Sequence, residues 1–181
     1  MRKILVVTGC GIKGGNTDRL SDAFIRGAKE AGHEVEKAFL GELQIEDCRG
    51  CGACQVNGHK CVIRDDMQDL IVEFQKADTI VLASPLYFWT VTARLKAFID
   101  RLYAISTNDQ YPKKDFALLM TAGDDYPETF TPVLNYYRAL VKALNWTNLG
   151  EITIGGCASV PGERRIKEEA LLQAEQFGKS I

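Results

Sequence analysis

The sequence predicts an α/β fold in which a five-stranded parallel sheet carries helices on both faces. Two observations predict it. Five short apolar runs alternate with five longer amphipathic segments along the 181 residues. No linker, repeat or low-complexity tract interrupts that alternation.

KILVVT (3–8) reads as a buried strand, and NTDRLSDAFIRGAKEAG (16–32) as a helix with Leu20, Phe24 and Ala28 on one face. HEVEKAFL (33–40) is a second strand, less apolar and therefore placed at or near an edge. A cysteine-rich loop follows, then a helix over DDMQDLIVEFQKA (65–77) and a buried strand, TIVLAS (79–84). A helix from about Thr90 to Leu102 sets Val91, Leu95, Phe98, Ile99 and Leu102 in one stripe. DFALLMTAG (115–123) is the fourth strand, PETFTPVLNYYRALVKALN (127–145) the fourth helix and GEITIGG (150–156) the fifth strand. Pro161-Gly162 then opens a last helix, ERRIKEEALLQAEQF (163–177). Strand order stays open at this level between a 2-1-3-4-5 sheet and a truncated dinucleotide fold. In either, ligands collect at the carboxyl ends of the strands.

Composition excludes several classes. The length suits one domain with a full core, needing neither disulfides nor metal to fold. Net charge is −2 with no dense Lys/Arg run, which argues against a nucleic-acid partner. No apolar stretch approaches the ~20 residues of a membrane span. The apolar run at the amino terminus covers only Ile4 to Val7, short of the roughly 7–15 residues of a secretory leader. The expectation is a soluble cytoplasmic protein, where clustered cysteines bind metal or do redox work more often than they form disulfides.

TGCGIKGGNT (8–17) links the first strand to the first helix. Glycines allow close backbone approach, Asn16 and Thr17 are good cap residues, and free helix N–H groups bind phosphate. Gly9, Gly11 and Gly14 form a literal G-x-G-x-x-G. The acidic residue expected about 20 positions on is absent, with Leu40 and Gly41 in its place. Gly15 stands where a Walker loop needs lysine. A single phosphate monoester is favoured over a dinucleotide, and over a glycine turn with no ligand. After the third strand, SPLYFWT (84–90) carries three consecutive aromatics that cannot all enter one core, although Phe88 alone reads as a plug under the helix. TAGDDYP (121–127) offers backbone amides after the fourth strand. Phosphate loop, aromatic wall and amide edge on one rim make a site for a mononucleotide with a large planar head.

CRGCGACQVNGHKC (48–61) places Cys48, Cys51, Cys54 and Cys61 as C-x2-C-x2-C-x6-C on the same rim. Two overlapping C-x2-C steps with a nearby fourth cysteine favour a 4Fe–4S cluster. Zinc, whose ligands usually come in two separated pairs, and free or reversibly oxidised thiols remain alternatives. His59 reads as a solvated loop residue and Cys157 as a small core residue.

These segments resemble the NAD(P)H-dependent FMN reductases of flavodoxin-like fold, and within them the iron–sulfur flavoproteins. GIKGGNT is similar to that family's phosphate loop, SPLYFWTVTARLKAFIDR to its flavin loop and following helix, and the compact cysteines followed by VIRDDM to its signature segment. The resemblance spans roughly residues 1 to 125 and implies a three-layer flavodoxin-like sandwich of order 2-1-3-4-5; beyond it the strand–helix alternation alone extends this single domain over residues 1–181. It implies FMN, with Gly9 and Cys10 leading into a phosphate loop of Lys13, Gly14, Gly15, Asn16 and Thr17. The isoalloxazine would rest against Pro85, Leu86, Tyr87, Phe88 and Trp89, and against Thr121, Ala122, Gly123 and Asp124. The family usually shows Ser-Pro-Arg where this chain has Cys10, Gly11 and Ile12. The resemblance further implies a homo-oligomer, a dimer or tetramer, with ferredoxin or NAD(P)H as redox partner. Flavin takes electrons in pairs and a cluster carries one at a time, so no side chain is needed as a catalytic acid or base. The alternative is a cluster-free NAD(P)H-dependent FMN or quinone reductase. A receiver module is excluded, because Thr8-Gly9 stands where an acidic pair would be required.

Overall fold

The computed structural model describes residues 1–108, 110–157, 163 and 165–181. Strands β1 (Lys3–Thr8), β2 (Glu34–Phe39), β3 (Thr79–Pro85), β4 (Asp115–Thr121) and β5 (Thr147–Ile154) form one sheet of order β2-β1-β3-β4-β5. Every neighbouring pair is parallel. This is the flavodoxin-like order. β2 lies at an edge, and its mostly half-exposed residues account for its weaker apolar character.

Alternate residues of the strands feed two separate cores. Leu5, Val7, Ile80, Leu82, Phe116 and Leu118 meet α2 (Met67–Lys76), α3 (Ala93–Arg101) and α4 (Thr131–Ala143). Ile4, Val6, Val81, Ala83, Ala117 and Leu119 meet α1 (Asn16–Glu30) and α5 (Glu168–Ser180). Strands covered on both faces become continuous apolar runs, as β1, β3 and β4 are. Helices α1 and α5 cross closely at two glycines. A Cβ on Gly27 would overlap the Glu175 carbonyl, and one on Gly178 the Phe24 carbonyl. Among the described residues no helix is long and apolar enough to cross a membrane.

Several boundaries differ from those expected. α4 starts at Thr131, so that Pro132 occupies the first turn, where its missing N–H breaks no ladder bond. β5 starts earlier than expected, at Thr147, and absorbs Gly150 (φ +142°) at a register shift opposite Phe116 and Ala117. α3 begins at Ala93, because Thr92 caps it by accepting from the Leu95 amide at 3.3 Å. α5 begins at Glu168 rather than Glu163, while Pro161-Gly162 lies outside the described residues.

Candidate functional site

The loops after β1, β3 and β4 meet at the carboxyl rim of the sheet. Gly9 continues the sheet through an amide bond to Ala83 O at 2.8 Å. A Cβ there would collide with Thr92 and Leu95. The Thr92 hydroxyl donates to Gly9 O at 2.8 Å, and its amide donates to Ser84 Oγ at 3.0 Å. One cap residue thus ties the first loop to the third. Beyond it the chain folds back, with Gly15 N donating to Ile12 O at 3.1 Å and Gly14 N (φ +72°) to Asp18 Oδ2 at 2.8 Å.

Gly15, not Asn16 or Thr17, is the residue that precedes α1. Asn16 and Thr17 stand in the helix's first turn, whose amides have no acceptor within the helix. Asn16 Oδ1 instead accepts from Ile166 N at 2.8 Å, tying the segment before α5 to this loop. The buried Thr17 hydroxyl lies 2.6 Å from that of Thr121 at the end of β4.

A cavity of about 200 Å³ opens between these loops. From the first loop it is lined by Cys10, Gly15, Asn16 and Thr17, and also by Gly11 and Ile12. From the third and fourth come Pro85, Leu86 and Tyr87, then Thr121, Ala122 and Gly123. Cys157 lines it as well. Expected as a core residue, Cys157 is in the core beneath α1 and α5 and on the cavity wall too, drawn there by its amide bond to Ala122 O at 2.9 Å. Nothing in the sequence places Cys157 beside Ala122; that pairing follows from β5 lying next to β4.

Six expected residues, Gly9, Lys13, Gly14, Phe88, Trp89 and Asp124, lie off this cavity. Gly9 is packed beneath it. Lys13 is exposed and paired with Glu42 at 2.9 Å, which raises the lysine pKa. Gly14 faces open space. Asp124 holds the Thr129 hydroxyl at 3.2 Å and, with Leu86, Phe88 and Trp89, lines an adjoining shallow recess. Phe88 is not the plug expected of it. It is 93% exposed, because Tyr87 and Thr90 exchange both amide bonds around a two-residue turn. Phe88 (φ +47°) and Trp89 (φ +59°) occupy that turn in the left-handed region, where large side chains are strained.

Charges around the phosphate-loop region are locally balanced. Lys37 reaches buried Asp18 at 2.6 Å, and desolvation of the lysine is outweighed by its two aspartate partners, so its pKa rises. Burial pushes the Cys10 thiol up to about 11, so it stays protonated at neutral pH. Its sulfur faces Ile12 O at 3.7 Å.

The four clustered cysteines are free thiols on the loop between β2 and α2. Cys54 is buried, Cys48 and Cys61 are half-buried and Cys51 is exposed. Among the described residues, no three His, Cys, Asp or Glu side chains converge closely enough to hold a metal ion. The donor chemistry suits a thiophilic centre, and Gln55 Nε2 lies 3.7 Å from the Cys54 sulfur as an N–H partner. The spacing of the four sulfurs does not yet form its cage.

The feet of this loop are held by a residue that sequence reading missed. Arg101 ends α3, and its guanidinium grips Asp65 at 2.8 and 3.0 Å, both groups being almost wholly buried. An arginine closing an amphipathic helix reads as a surface residue. The only signal was VIRDDM, a motif without an assigned role.

Residues 2–148 match the family model described as NADPH-dependent FMN reductase. An iron–sulfur flavoprotein of Archaeoglobus fulgidus is 33% identical over 180 residues, covering 99% of this chain and 78% of that protein. One from Methanocaldococcus jannaschii is 35% identical over 184 residues, covering 99% of this chain and 95% of the other. Among solved structures, an NAD(P)H:quinone oxidoreductase from Methanothermobacter marburgensis superposes with a TM-score of 0.77 at 18% identity, over 99% and 96% of the two chains. An azoreductase from Bacillus anthracis gives 0.73 at 20% identity over the whole of both.

Proposed function

The chain belongs to the NADPH-dependent FMN reductase family, in its iron–sulfur flavoprotein branch, and is an FMN-dependent oxidoreductase; from that premise we propose how its residues serve the flavin and the cysteine loop. The observation that carries the reading is the meeting of three rim loops around one cavity, with the first turn of α1 opening onto it. The α1 amides and the Thr17 hydroxyl hold the FMN phosphate, with Gly11 and Gly15 letting the backbone come close. Pro85, Leu86 and Tyr87 wall one side of the isoalloxazine, and the backbone from Thr121 to Asp124 meets its edge, the Ala122 amide being already given to Ile154 O. Bound FMN supplies hydride acceptance from NAD(P)H and release of electrons one at a time. The protein's part is position and electrostatics. The neutral Cys10 thiol adds no negative charge beside the ring.

The four-cysteine loop serves as a cradle for a 4Fe–4S cluster through Cys48, Cys51, Cys54 and Cys61, with a one-electron carrier such as ferredoxin as partner. The donor set and the N–H group beside Cys54 support this reading. The unconverged sulfurs favour a second reading, a cluster-free NAD(P)H-dependent FMN or quinone reductase. The exposed Phe88–Trp89 turn supports a homo-oligomer, since a strained turn that presents two large rings to water gains by being covered. One experiment tests the set. The protein is purified anaerobically, its absorbance recorded, iron and zinc measured on the same sample, and FMN titrated in. FMN bound with about four irons per chain is expected. FMN bound with no metal leaves the cluster-free reductase, and failure to bind FMN removes the whole reading.

A further inference from the structure

Arg101 is 1% exposed and takes no part in the flavin cavity. Its Nη1 donates to Glu46 O at 2.9 Å and Asp65 Oδ2 at 2.8 Å. Its Nη2 donates to Asp65 Oδ1 at 3.0 Å and Ile63 O at 3.4 Å. The guanidinium therefore grips the chain two residues before Cys48 and again two and four residues after Cys61. Its fifth donor is different. Nε is buried, with no hydrogen-bond partner among the described residues. A buried donor without an acceptor is costly and uncommon, and buried arginine N–H groups are normally satisfied.

The Cys61 side chain lies against this guanidinium, close enough to join Asp65 in raising the arginine's pKa, while no acceptor meets Nε at full hydrogen-bond geometry. A second cysteine has a comparable neighbour. Gln55 Nε2 is anchored by Tyr103 O at 2.9 Å and Ser106 Oγ at 3.3 Å, and lies 3.7 Å from the Cys54 sulfur. Cys51 is the contrast, exposed between Gly50 (φ +63°) and Gly52 (φ +68°). Two sulfurs thus sit against fixed N–H groups and a third rides on a pliable turn.

We propose that Arg101 is the positioning residue of the cysteine loop, its Nε–H donating to the Cys61 sulfur so that Cys61 is the fixed corner toward which the other thiols close. Asp65 already neutralises the guanidinium's charge through the two Nη atoms, which leaves Nε oriented and free for a soft acceptor. N–H groups aimed at metal-bound sulfur orient the ligand and tune the centre. Which metal closes the loop rests on the reading above; the Arg101–Cys61 pairing does not.

The test uses the full-length, reduced, 15N-labelled protein and follows the Arg101 Nε–H resonance, with Cd2+ as a diamagnetic thiophilic probe. The expected result is a slowly exchanging Nε–H signal that shifts in Cys61→Ser without metal. In the wild type and in Cys48→Ser it should shift again on adding Cd2+, and in Cys61→Ser it should not. Arg101→Lys keeps a cation for Asp65 but has no Nε–H, and should weaken Cd2+–thiolate absorbance at least tenfold in affinity. Should that variant fail to fold, the Cys61→Ser arm decides alone. An Nε–H signal indifferent to Cys61→Ser and to Cd2+ overturns the proposal. A wild type that takes up no Cd2+, yet whose Nε–H responds to Cys61→Ser, keeps the pairing and removes the cluster reading instead.

Discussion

The Thr17 and Thr121 hydroxyls meet 2.6 Å apart, joining the first turn of α1 to the end of β4 in the wall of the cavity. Each hydroxyl has one proton to give. If Thr121 donates to Thr17, the Thr17 proton is left for an anion at the helix terminus. Thr17→Val should therefore weaken FMN by about 1.5–3 kcal/mol, roughly 10- to 150-fold, and riboflavin hardly at all. Thr17→Ser should restore FMN affinity. Fluorescence titration of both ligands checks this, and equal losses for the two would separate Thr17 from the phosphate.

The left-handed Phe88 predicts a substitution that stabilises. A large L-residue in this region costs about 1–2 kcal/mol, which asparagine largely avoids. Because Phe88 is so exposed, Phe88→Asn forfeits little burial and should raise stability by about 1 kcal/mol in urea unfolding. If the proposed homo-oligomer covers this ring, the same change should also weaken self-association in sedimentation.

The buried ion pair on α3 predicts an acid-dependent contribution. Burial raises the Asp65 carboxyl, but the Arg101 guanidinium and the Glu46 and Met67 amides outweigh it and hold the pKa below the ordinary 3.8. Stability from this pair is complete above the unfolded carboxyl's value near 4 and is lost as pH falls through the lower folded value. Asp65→Asn should cost about 3 kcal/mol at pH 7 by stranding a buried guanidinium. The gap from wild type should hold constant above about pH 5 and narrow below about pH 4. A gap unchanged down to pH 2 would contradict the assignment.

Helix crossing predicts a further site of intolerance. Gly27→Ala drives a methyl into the Glu175 carbonyl, a backbone atom that cannot rotate away. A loss of about 3 kcal/mol is expected, read as a lower urea midpoint. Gly32→Ala, where there is open space but φ is +85°, should cost only about 1–2 kcal/mol.

Thiol labelling should separate two classes. With its pKa near 11, the Cys10 thiol is ionised in fewer than about one molecule in a thousand at pH 7.5, and it is buried as well. Exposed Cys51 should react with iodoacetamide first and Cys10 last, as peptide mapping over time would show. FMN should slow Cys10 further and leave Cys51 unaffected.

Strands and helix faces were legible wherever periodicity carried them. The expected stripe of α3, Val91, Leu95, Phe98, Ile99 and Leu102, is buried throughout. What escaped was set by contacts distant in sequence or by unusual backbone. The start of β5 hid because TNLG is polar and bears a glycine, and only pairing with β4 makes it a strand. Phe88 and Trp89 gave no hint of their turn, which ordinarily takes Asn and Gly. Lys13 reads as a phosphate ligand until Glu42, brought near by the turn after β2, claims it. Arg101 reads as surface until Asp65 is found beneath it.

That same guanidinium makes the cysteine segment separable from the domain carrying it. Glu46 on one side and Ile63 and Asp65 on the other are tied to α3 directly, and Gln55 between them to Tyr103 and Ser106 just beyond it, so the segment is held at its two feet and at one point along its length. Doubling the length of such a closed loop costs only about 0.6 kcal/mol. The stretch from 48 to 61 is in this sense a cassette. Changes in its length or its thiols should therefore leave the rim of the sheet in shape, because the socket, rather than the insert, is built into the core.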